Sequence, residues 1–481
     1  MVKKQDDENY ESGDGNVRKI KPRVGLLTLM FDAYSVFPKL ETELTQYADE
    51  LSDVFEEFAD VEWSGICKTC NQVNDAVKLF EGKGLDLIIL VFLTYTPSHT
   101  AFKALKMTKL PILMFNTQKL YELKTDTDAG EILRNHGMHG VQDMANVLLR
   151  AGIKFSLVTG HYRDEKALAQ VKEWCQAAAV VNFLRGCRAG IIGYPQEGTG
   201  DFAFDETCLL NVFGVEVHHI SQNELAHTAQ EAPINEIREQ IEKDRHLFNI
   251  SKDVTEKEHE ESSRLEWAIR ETLKKSNISA FTFHFRAVSN EGVLRTLPFL
   301  ASSKMLSEGY GYAGEGDILA SIAVSIMQKI TGRAHFTEMF TMDFKENAIL
   351  MTHMGEGNHA LAREDEPVRL VGSNLNLTKI PFRPVLLSFA LKPGEVTLVS
   401  LSFTTEGRLK IVSTEGHVAD SSPIKSITAP QFMFQPEKPL TDFLTELSLE
   451  GSSHHFALAY GKWSSLIEKI ADIVGADFAK I

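Results

Sequence analysis

Gly314-Glu315-Gly316-Asp317 leads straight into Ile318-Leu319-Ala320-Ser321-Ile322-Ala323-Val324-Ser325-Ile326, and after Thr331-Gly332 the texture of the chain changes. The run over 318–330 is apolar almost all round, so it reads as a buried helix rather than a surface one. Asp317, immediately before it, reads as the helix N-cap. Upstream of this point strands and helices alternate. Strands are expected at 23–30, 61–65, 86–92, 111–115 and 155–159, with helices at 36–58, 73–80, 97–105, 141–150 and 165–184. Such alternation implies parallel, doubly wound sheets joined by crossovers. The stretch 85–92 is the strongest apolar run and reads as a parallel strand covered on both faces. A second unit of the same kind is expected from Ala189-Gly190-Ile191-Ile192-Gly193-Tyr194, with strands at 215–217 and 278–285. Between them, 234–274 reads as a polar helical region, a solvated face or an oligomer contact. Downstream, short alternating runs at 385–389, 396–399 and 409–412 are separated by Pro393-Gly394 and Glu406-Gly407. They read as antiparallel β, a barrel or a sandwich, and 463–474 closes the chain as a helix.

The expected organisation is a polar leader (1–21), an N-terminal α/β domain (22–187), a central α/β domain (188–332) and a mostly antiparallel, barrel-like C-terminal domain with a terminal helix (333–481). A chain of 481 residues is too long for one ordinary core, in keeping with two to three domains. A net charge of −16 argues against a nucleic-acid partner and suits a small neutral substrate. No run reaches the ~18 apolar residues a membrane helix needs. The first twenty-odd residues lack an apolar segment and read as a disordered leader rather than a secretory signal. Five cysteines, Cys67, Cys70, Cys175, Cys187 and Cys208, are an odd and scattered set that suggests free thiols and a reducing, cytoplasmic setting. Cys67-Lys68-Thr69-Cys70 has zinc or redox spacing, but no second pair completes a zinc site, so two incidental thiols are expected.

The candidate chemistry lies between His335 and His353. Phe336, Glu338, Phe340, Met342 and Phe344 fall at period two, which puts all five on one face of a strand. A carboxylate among phenylalanines is costly unless it meets a cation or a donor, and a metal ion is one good partner. If residues 345–348 form the loop, Phe344 faces Ile349, Phe340 faces His353, and His353 lies diagonal to Glu338 on the same face. A three-residue loop puts His353 on the other face. His454 and His455 stand side by side far downstream, and alternation turns one of them away from any shared site. Two glutamates with one or two histidines form a mixed O/N donor set that suits Mn(II) or a similar divalent ion. Taken singly, Glu315 is a loop acid, His353 a hydrogen-bonded core histidine, and His136, His335 and His359 ordinary surface or core residues.

The order Gly-Glu-Gly-Asp, a Glu in an aromatic strand, Thr352-His353-Met354, then a His-His pair near the end resembles the L-arabinose isomerase family. The resemblance runs over nearly the whole chain from about residue 22. Thr94-Tyr95-Thr96-Pro97, Asn116-Thr117-Gln118, His136-Gly137, Thr159-Gly160-His161 and Ala280-Phe281-Thr282 resemble family landmarks in the same order. The resemblance implies an aldose–ketose isomerase working through an enediol, with Mn(II) or a similar metal held by Glu315, Glu338, His353 and one of His454 or His455. It makes Glu315 and Glu338 the acid/base pair, places Tyr95, Gln118, His161, Tyr194 and Phe285 at sugar-contact positions, and implies a homo-oligomer, most simply a hexamer. The chain departs from the family at Ile318-Leu319, where the family has Trp-Lys, and at Met30-Phe31-Asp32-Ala33-Tyr34, where it has a polar sugar-contacting stretch. A substrate other than L-arabinose is therefore expected. The alternatives are a non-catalytic sugar-binding protein and a metal-dependent epimerase of a sugar-like substrate.

Overall fold

The computed structural model describes residues 20–286, 288, 292–373 and 379–481. The leader expected over 1–21 lies outside the described residues except for Ile20 and Lys21. Five parallel strands form the first sheet: β1 (Arg23–Leu29), β2 (Asp60–Cys67), β3 (Leu87–Phe92), β4 (Ile112–Asn116) and β5 (Ser156–Thr159), in the order β2-β1-β3-β4-β5. All six residues of β3 are buried, as a strand covered on both faces must be. The first helices follow the expected pattern with shifted ends. The one expected over 36–58 is Pro38–Glu56 behind a short 3-10 turn (Asp32–Val36), because Pro38 suits the first turn of a helix but not its interior. The helix Cys70–Gly82 starts at a capping box made by Thr69 and Gln72.

The second sheet has β6 (Arg188–Ile192), β7 (Glu216–Ile220), β9 (Ala280–Phe283) and β10 (Gly311–Gly314) in the order β10-β9-β6-β7, all parallel, while β8 (Asn249–Ile250) belongs to another sheet. The long polar region is two helices, Ile234–Leu247 and Glu256–Lys275, broken by β8 and restarted by a second capping box at Thr255. In both sheets the strand order reverses beside the first strand. The carboxyl ends of β1 and β3, and of β6 and β9, therefore frame crevices where α/β sheets bind ligands.

The C-terminal strands are β11 (His335–Asp343), β12 (Ala348–Thr352), β13 (Arg369–Gly372), β14 (Val385–Ser388), β15 (Gly394–Phe403), β16 (Leu409–Val418), β17 (Gln431–Pro436), β18 (His455–Tyr460) and β19 (Asp477–Lys480). Six of them close a barrel in the order β15-β18-β11-β12-β17-β16, and β16 pairs back to β15. Closure leaves no free edge among the six, which decides for a barrel over a sandwich. β19 adds to β16 in parallel, and β14-β13-β8 make a small separate sheet. The helix Ile318–Thr331 is buried along nearly its whole length, as expected, and its side chains share one core with the second sheet and with Val399, Leu401, Ile411 and Ala457 of the barrel. Ile318 and Leu319 belong to that core, so the departure at this pair is a packing change and not a pocket change. The terminal helix Ser464–Val474 reaches back to the first unit, where Glu173 takes Lys469 at 2.7 Å and Ser465 at 2.8 Å. All five cysteines are free, and among the described residues no helix is long and apolar enough to cross a membrane.

The hairpin expectation is corrected in detail. Asp343 pairs with Ala348, so the loop is 344–347, one residue earlier than the four-residue loop considered above. A β-bulge between Met339 and Thr341 then inserts Phe340, and Glu338 comes to face Thr352. Beyond the bulge the strand outruns β18, which pairs only with residues 335–338, so Phe340, Met342 and Phe344 are exposed while Phe336 is buried. The five period-two residues therefore do not share one buried face. A strand keeps its alternation only while its ladder is regular.

Candidate active site

The site forms where the mouth of the barrel meets the carboxyl end of β10. Glu338 on β11 lies opposite Thr352 of β12 on one side and His455 of β18 on the other. His353 sits one residue past the end of β12, and its ring turns back so that Nε2 lies 3.9 Å from Glu338 Oε1. His455 Nε2 and His454 Nε2 each lie 3.9 Å from Glu338 Oε2. Glu315 enters from the turn after β10 and forms a second group with His454 and His455. Within each group, Glu338-His353-His455 and Glu315-His454-His455, the candidate ligand atoms lie within 4.8 Å of one another. All the sequence-derived metal candidates are thus brought together.

Local backbone explains how Glu315 gets there. It sits in the left-handed region at φ 61°, a conformation that costs a non-glycine residue energy. Gly316 follows at φ 82°, and a Cβ there would lie 2.3 Å from the Tyr194 carbonyl. A Cβ on Gly314 would meet the His353 ring at 2.7 Å. Both glycines of the motif are required by close approach, and they bring β10 against the end of β6 and against the histidine.

Each histidine is held through Nδ1 by its own carboxylate. Glu356 Oε2 takes His353 at 2.8 Å, Asp317 Oδ2 takes His455 at 3.0 Å, and Asp201 Oδ2 takes His454 at 2.7 Å. Tyr312 donates to the other oxygen of Glu356 at 2.7 Å, which makes a fully buried Tyr-Glu-His chain. Phe336 packs edge-on against His353 and His455, and Phe202 stacks on His454 and His455. With Nδ1 engaged, Nε2 is the free nitrogen, and the Nε2 atoms of His353 and His455 are buried without a hydrogen-bond partner. A buried polar atom left bare is costly, so two of them converging on Glu338 mark a position for a ligand. Carboxylates that orient metal-binding imidazoles have this geometry, and the two-Glu, two-His donor set fits a divalent cation such as Mn(II).

The electrostatics agree. Burial alone would depress the His353 pKa, but Glu356 beside it, with Glu338 and Glu315 beyond, lifts it to about 9. Glu356 is itself pulled below the usual carboxylate range by His353, against the upward push of burial. Burial and Glu356 together raise the Tyr312 phenol well above its ordinary value, so it stays a donor. Burial also pushes the half-exposed His454 down, but Asp201 outweighs it and the net shift is upward. His353 thus carries a proton that a cation must displace, so cation and proton compete for the site.

The sugar-contact candidates divide into two sets. Tyr194 and Phe285 lie at the second crevice: Tyr194 packs on His284 with ring centroids 4.7 Å apart, and Phe285 lines a small apolar cavity. Phe283, Phe299 and Met354 complete its apolar wall, with Glu315, His353 and Glu356 on its polar side. Tyr95, Gln118 and His161 follow β3, β4 and β5 at the carboxyl edge of the first sheet, and among the described residues none of them touches the cluster or lines this cavity. The sequence reading missed Asp201, Phe202, Tyr312 and Glu356. Glu356, three residues after His353, was visible as a His-x-x-Glu spacing, whereas nothing local marks Asp201.

Three family models match in succession: the L-arabinose isomerase N-terminal domain over residues 34–185, the central domain over 207–333 and the C-terminal domain over 333–477. Among similar proteins is an L-arabinose isomerase of Nocardioides sp., 24% identical and covering 81% of this chain and 78% of its own length. One of Mycolicibacterium smegmatis is 22% identical over 88% of this chain and 85% of its own. One of Arthrobacter sp. is 25% identical over 91% and 88%.

Proposed function

The chain belongs to the L-arabinose isomerase family, and from that premise we propose that it is a metal-dependent aldose–ketose isomerase whose preferred sugar is not L-arabinose. Two buried Nε2 atoms, those of His353 and His455, bare and turned toward Glu338, carry the reading. Glu315, Glu338, His353 and His455 would hold the cation. His455 is preferred to His454 because its ring is fully buried and His454 is exposed at the mouth. When bound, a divalent cation supplies Lewis-acid stabilisation of negative charge on the sugar's O1 and O2.

The remaining work falls to the side chains. One of the Glu315–Glu338 pair takes the proton from C2 of the aldose and returns it to C1, while the other moves the proton between O1 and O2. Glu356 and Asp317 fix the rings of His353 and His455, and the Asp201–His454 pair at the mouth is placed to hydrogen-bond a sugar hydroxyl. The apolar wall of Phe283, Phe285, Phe299 and Met354 keeps water from the carbon that loses its proton. Phe31, which replaces a polar contact of the family, favours a pentose, hexose or deoxy-sugar with fewer or differently placed hydroxyls. By the same resemblance the active form is a homo-oligomer, a hexamer, in the cytoplasm.

The test is ketose formation by the purified chain with Mn(II) across a panel of aldoses. Turnover of at least one aldose, lost on chelation, is the expected result. No ketose from any aldose would favour a binding protein. Epimer formation in its place would favour the epimerase. A clear preference for L-arabinose would overturn the substrate assignment alone.

A further inference from the structure

We propose that the cleft at the carboxyl ends of β6 and β7 is a second binding site, taking a neutral, hydroxyl-rich ligand of the polyol or sugar class. These two strands lie side by side in parallel, with Ile192 opposite Ile220, so the residues that follow them open onto the same end of the sheet. Such strand ends are where α/β sheets take ligands. Gly193 and Tyr194 follow β6, Ser221, Gln222 and Asn223 follow β7, and all of them line the cleft. Neither Glu315, Glu338 nor any of the three histidines at the barrel mouth lines it.

Gln222 carries the proposal. It is 2% exposed, and neither its Nε2 nor its Oε1 has a hydrogen-bond partner. A buried amide bare at both ends is costly, and a ligand in the cleft that this residue lines is a partner within its reach. The backbone agrees. Gln222 opens the helix Gln222–Glu231, and Ser221 at its N-cap makes no side-chain bond to the first turn. The helix end therefore keeps an N–H group that a capping serine would have engaged. The chemistry selects the ligand class. A phosphate or carboxylate would accept from the N–H groups but oppose Oε1, and among the described residues no cationic side chain lines the cleft. A hydroxyl group both donates and accepts, so neighbouring hydroxyls meet the two ends of one amide. The Tyr194 ring, packed on His284, adds apolar surface for the C–H groups between them.

Xylitol, a pentitol with no carbonyl to isomerise, is titrated calorimetrically into the full chain, metal-free and with Mn(II). Wild type is compared with Gln222→Leu, and the urea midpoint is read alongside. Gln222→Leu should bind xylitol about 10- to 100-fold more weakly, the fold-change for losing two hydrogen bonds from one group. Its midpoint should stay level or rise, because a bare buried amide has been replaced by an apolar group of similar size. If it fails to fold, Gln222→Met carries the same expectation, and Asn223→Ala, at an exposed position, should weaken binding by about three- to tenfold. The two conditions distinguish the source of the hydroxyls, since Tyr194 borders both the cleft and the turn that carries Glu315. Weakening in the metal-free chain assigns a separate site, and weakening only with Mn(II) assigns the far end of a ligand anchored at the metal. Equal xylitol affinity in wild type and the folded variants under both conditions, or no binding by wild type, would overturn the proposal. Binding of inorganic phosphate that Gln222→Leu abolishes, with xylitol affinity unchanged, would overturn it in favour of an anion site. None of these readings uses turnover, so the isomerase reading can fail while this one stands.

Discussion

The carboxyl edge of the first sheet and the mouth of the barrel carry similar residue types and treat them differently. At the first edge the nitrogens of His136 and His161 and the Gln118 amide are engaged locally, and the Thr117 hydroxyl is buried and bare. Gln118 donates to the Leu120 carbonyl, and His161 reaches the Lys119 carbonyl through Nε2 and accepts from Arg163 N–H. His136 meets the Tyr34 hydroxyl with one nitrogen and accepts the Tyr95 N–H with the other. At the barrel mouth the polar groups are more deeply buried, each histidine has a dedicated carboxylate, and two nitrogens are left bare. An edge whose histidines are engaged on both nitrogens supports packing and loop conformation, whereas a buried cluster of carboxylates and half-free imidazoles is poised for a ligand.

Removing the shared carboxylate should have the largest effect. Glu338→Ala is expected to abolish Mn(II) retention through dialysis and to lower kcat/KM by about 10²- to 10⁴-fold, the range for losing a positioned acid or base, without changing the melting curve. Metal content equal to wild type would remove the barrel mouth as the site. Next in size is Glu356→Gln, which takes the charge from the partner of His353. Mn(II) binding should weaken by roughly 10- to 100-fold, measured by titration of the apo-protein, and an unchanged affinity would make the Tyr312-Glu356 chain purely structural.

Stability against pH gives a third and smaller effect. His353 has a folded pKa raised to about 9, so its contribution is complete below the unfolded value of about 6.5 and is lost as pH rises through 9. His335 and His284 are buried as neutral rings, and burial lowers them to about 3 and about 4. Their contribution is complete above about pH 6.5 and is lost as pH falls toward those values. The metal-free chain should therefore be most resistant to urea near neutrality, with an alkaline limb due to His353. His353→Gln should flatten that limb and leave the acid limb in place, and an alkaline limb that survives the substitution would refute the assignment.

The smallest effects are expected at the first edge. Gln118→Ala and His161→Ala should leave metal content unchanged and cost no more than about ten- to thirtyfold in kcat/KM, since they lose one and two local hydrogen bonds of about 1 kcal/mol net each. Loss of metal from either variant would erase the contrast between the two regions.

The uneven legibility of these regions has a physical basis. Strand and helix alternation up to Thr331 was readable because burial on one or both faces dictates local periodicity. Asp317 was readable as a cap because capping is satisfied within three residues. The hairpin was misread because a bulge at Phe340 and a shifted loop each change the face by one residue, and neither leaves a local mark. The pair Ile318-Leu319 looked like a pocket change and proved to be core, since nothing in a buried helix says which of its sides meets a site.

By itself the sequence determined the two parallel α/β units, the switch to antiparallel strands, the buried helix between them and the candidate donors Glu315, Glu338, His353 and the His454-His455 pair. Only the tertiary structure decided that His455 is the buried member of that pair, that His353 turns back toward Glu338, and that Asp317, Glu356 and Asp201 hold the three rings. The Asp317 and Asp201 contacts span 138 and 253 residues, beyond the reach of any local propensity. They exist because one shared core, threaded by the helix Ile318–Thr331, packs the second sheet against the barrel and brings the end of β10 to its mouth.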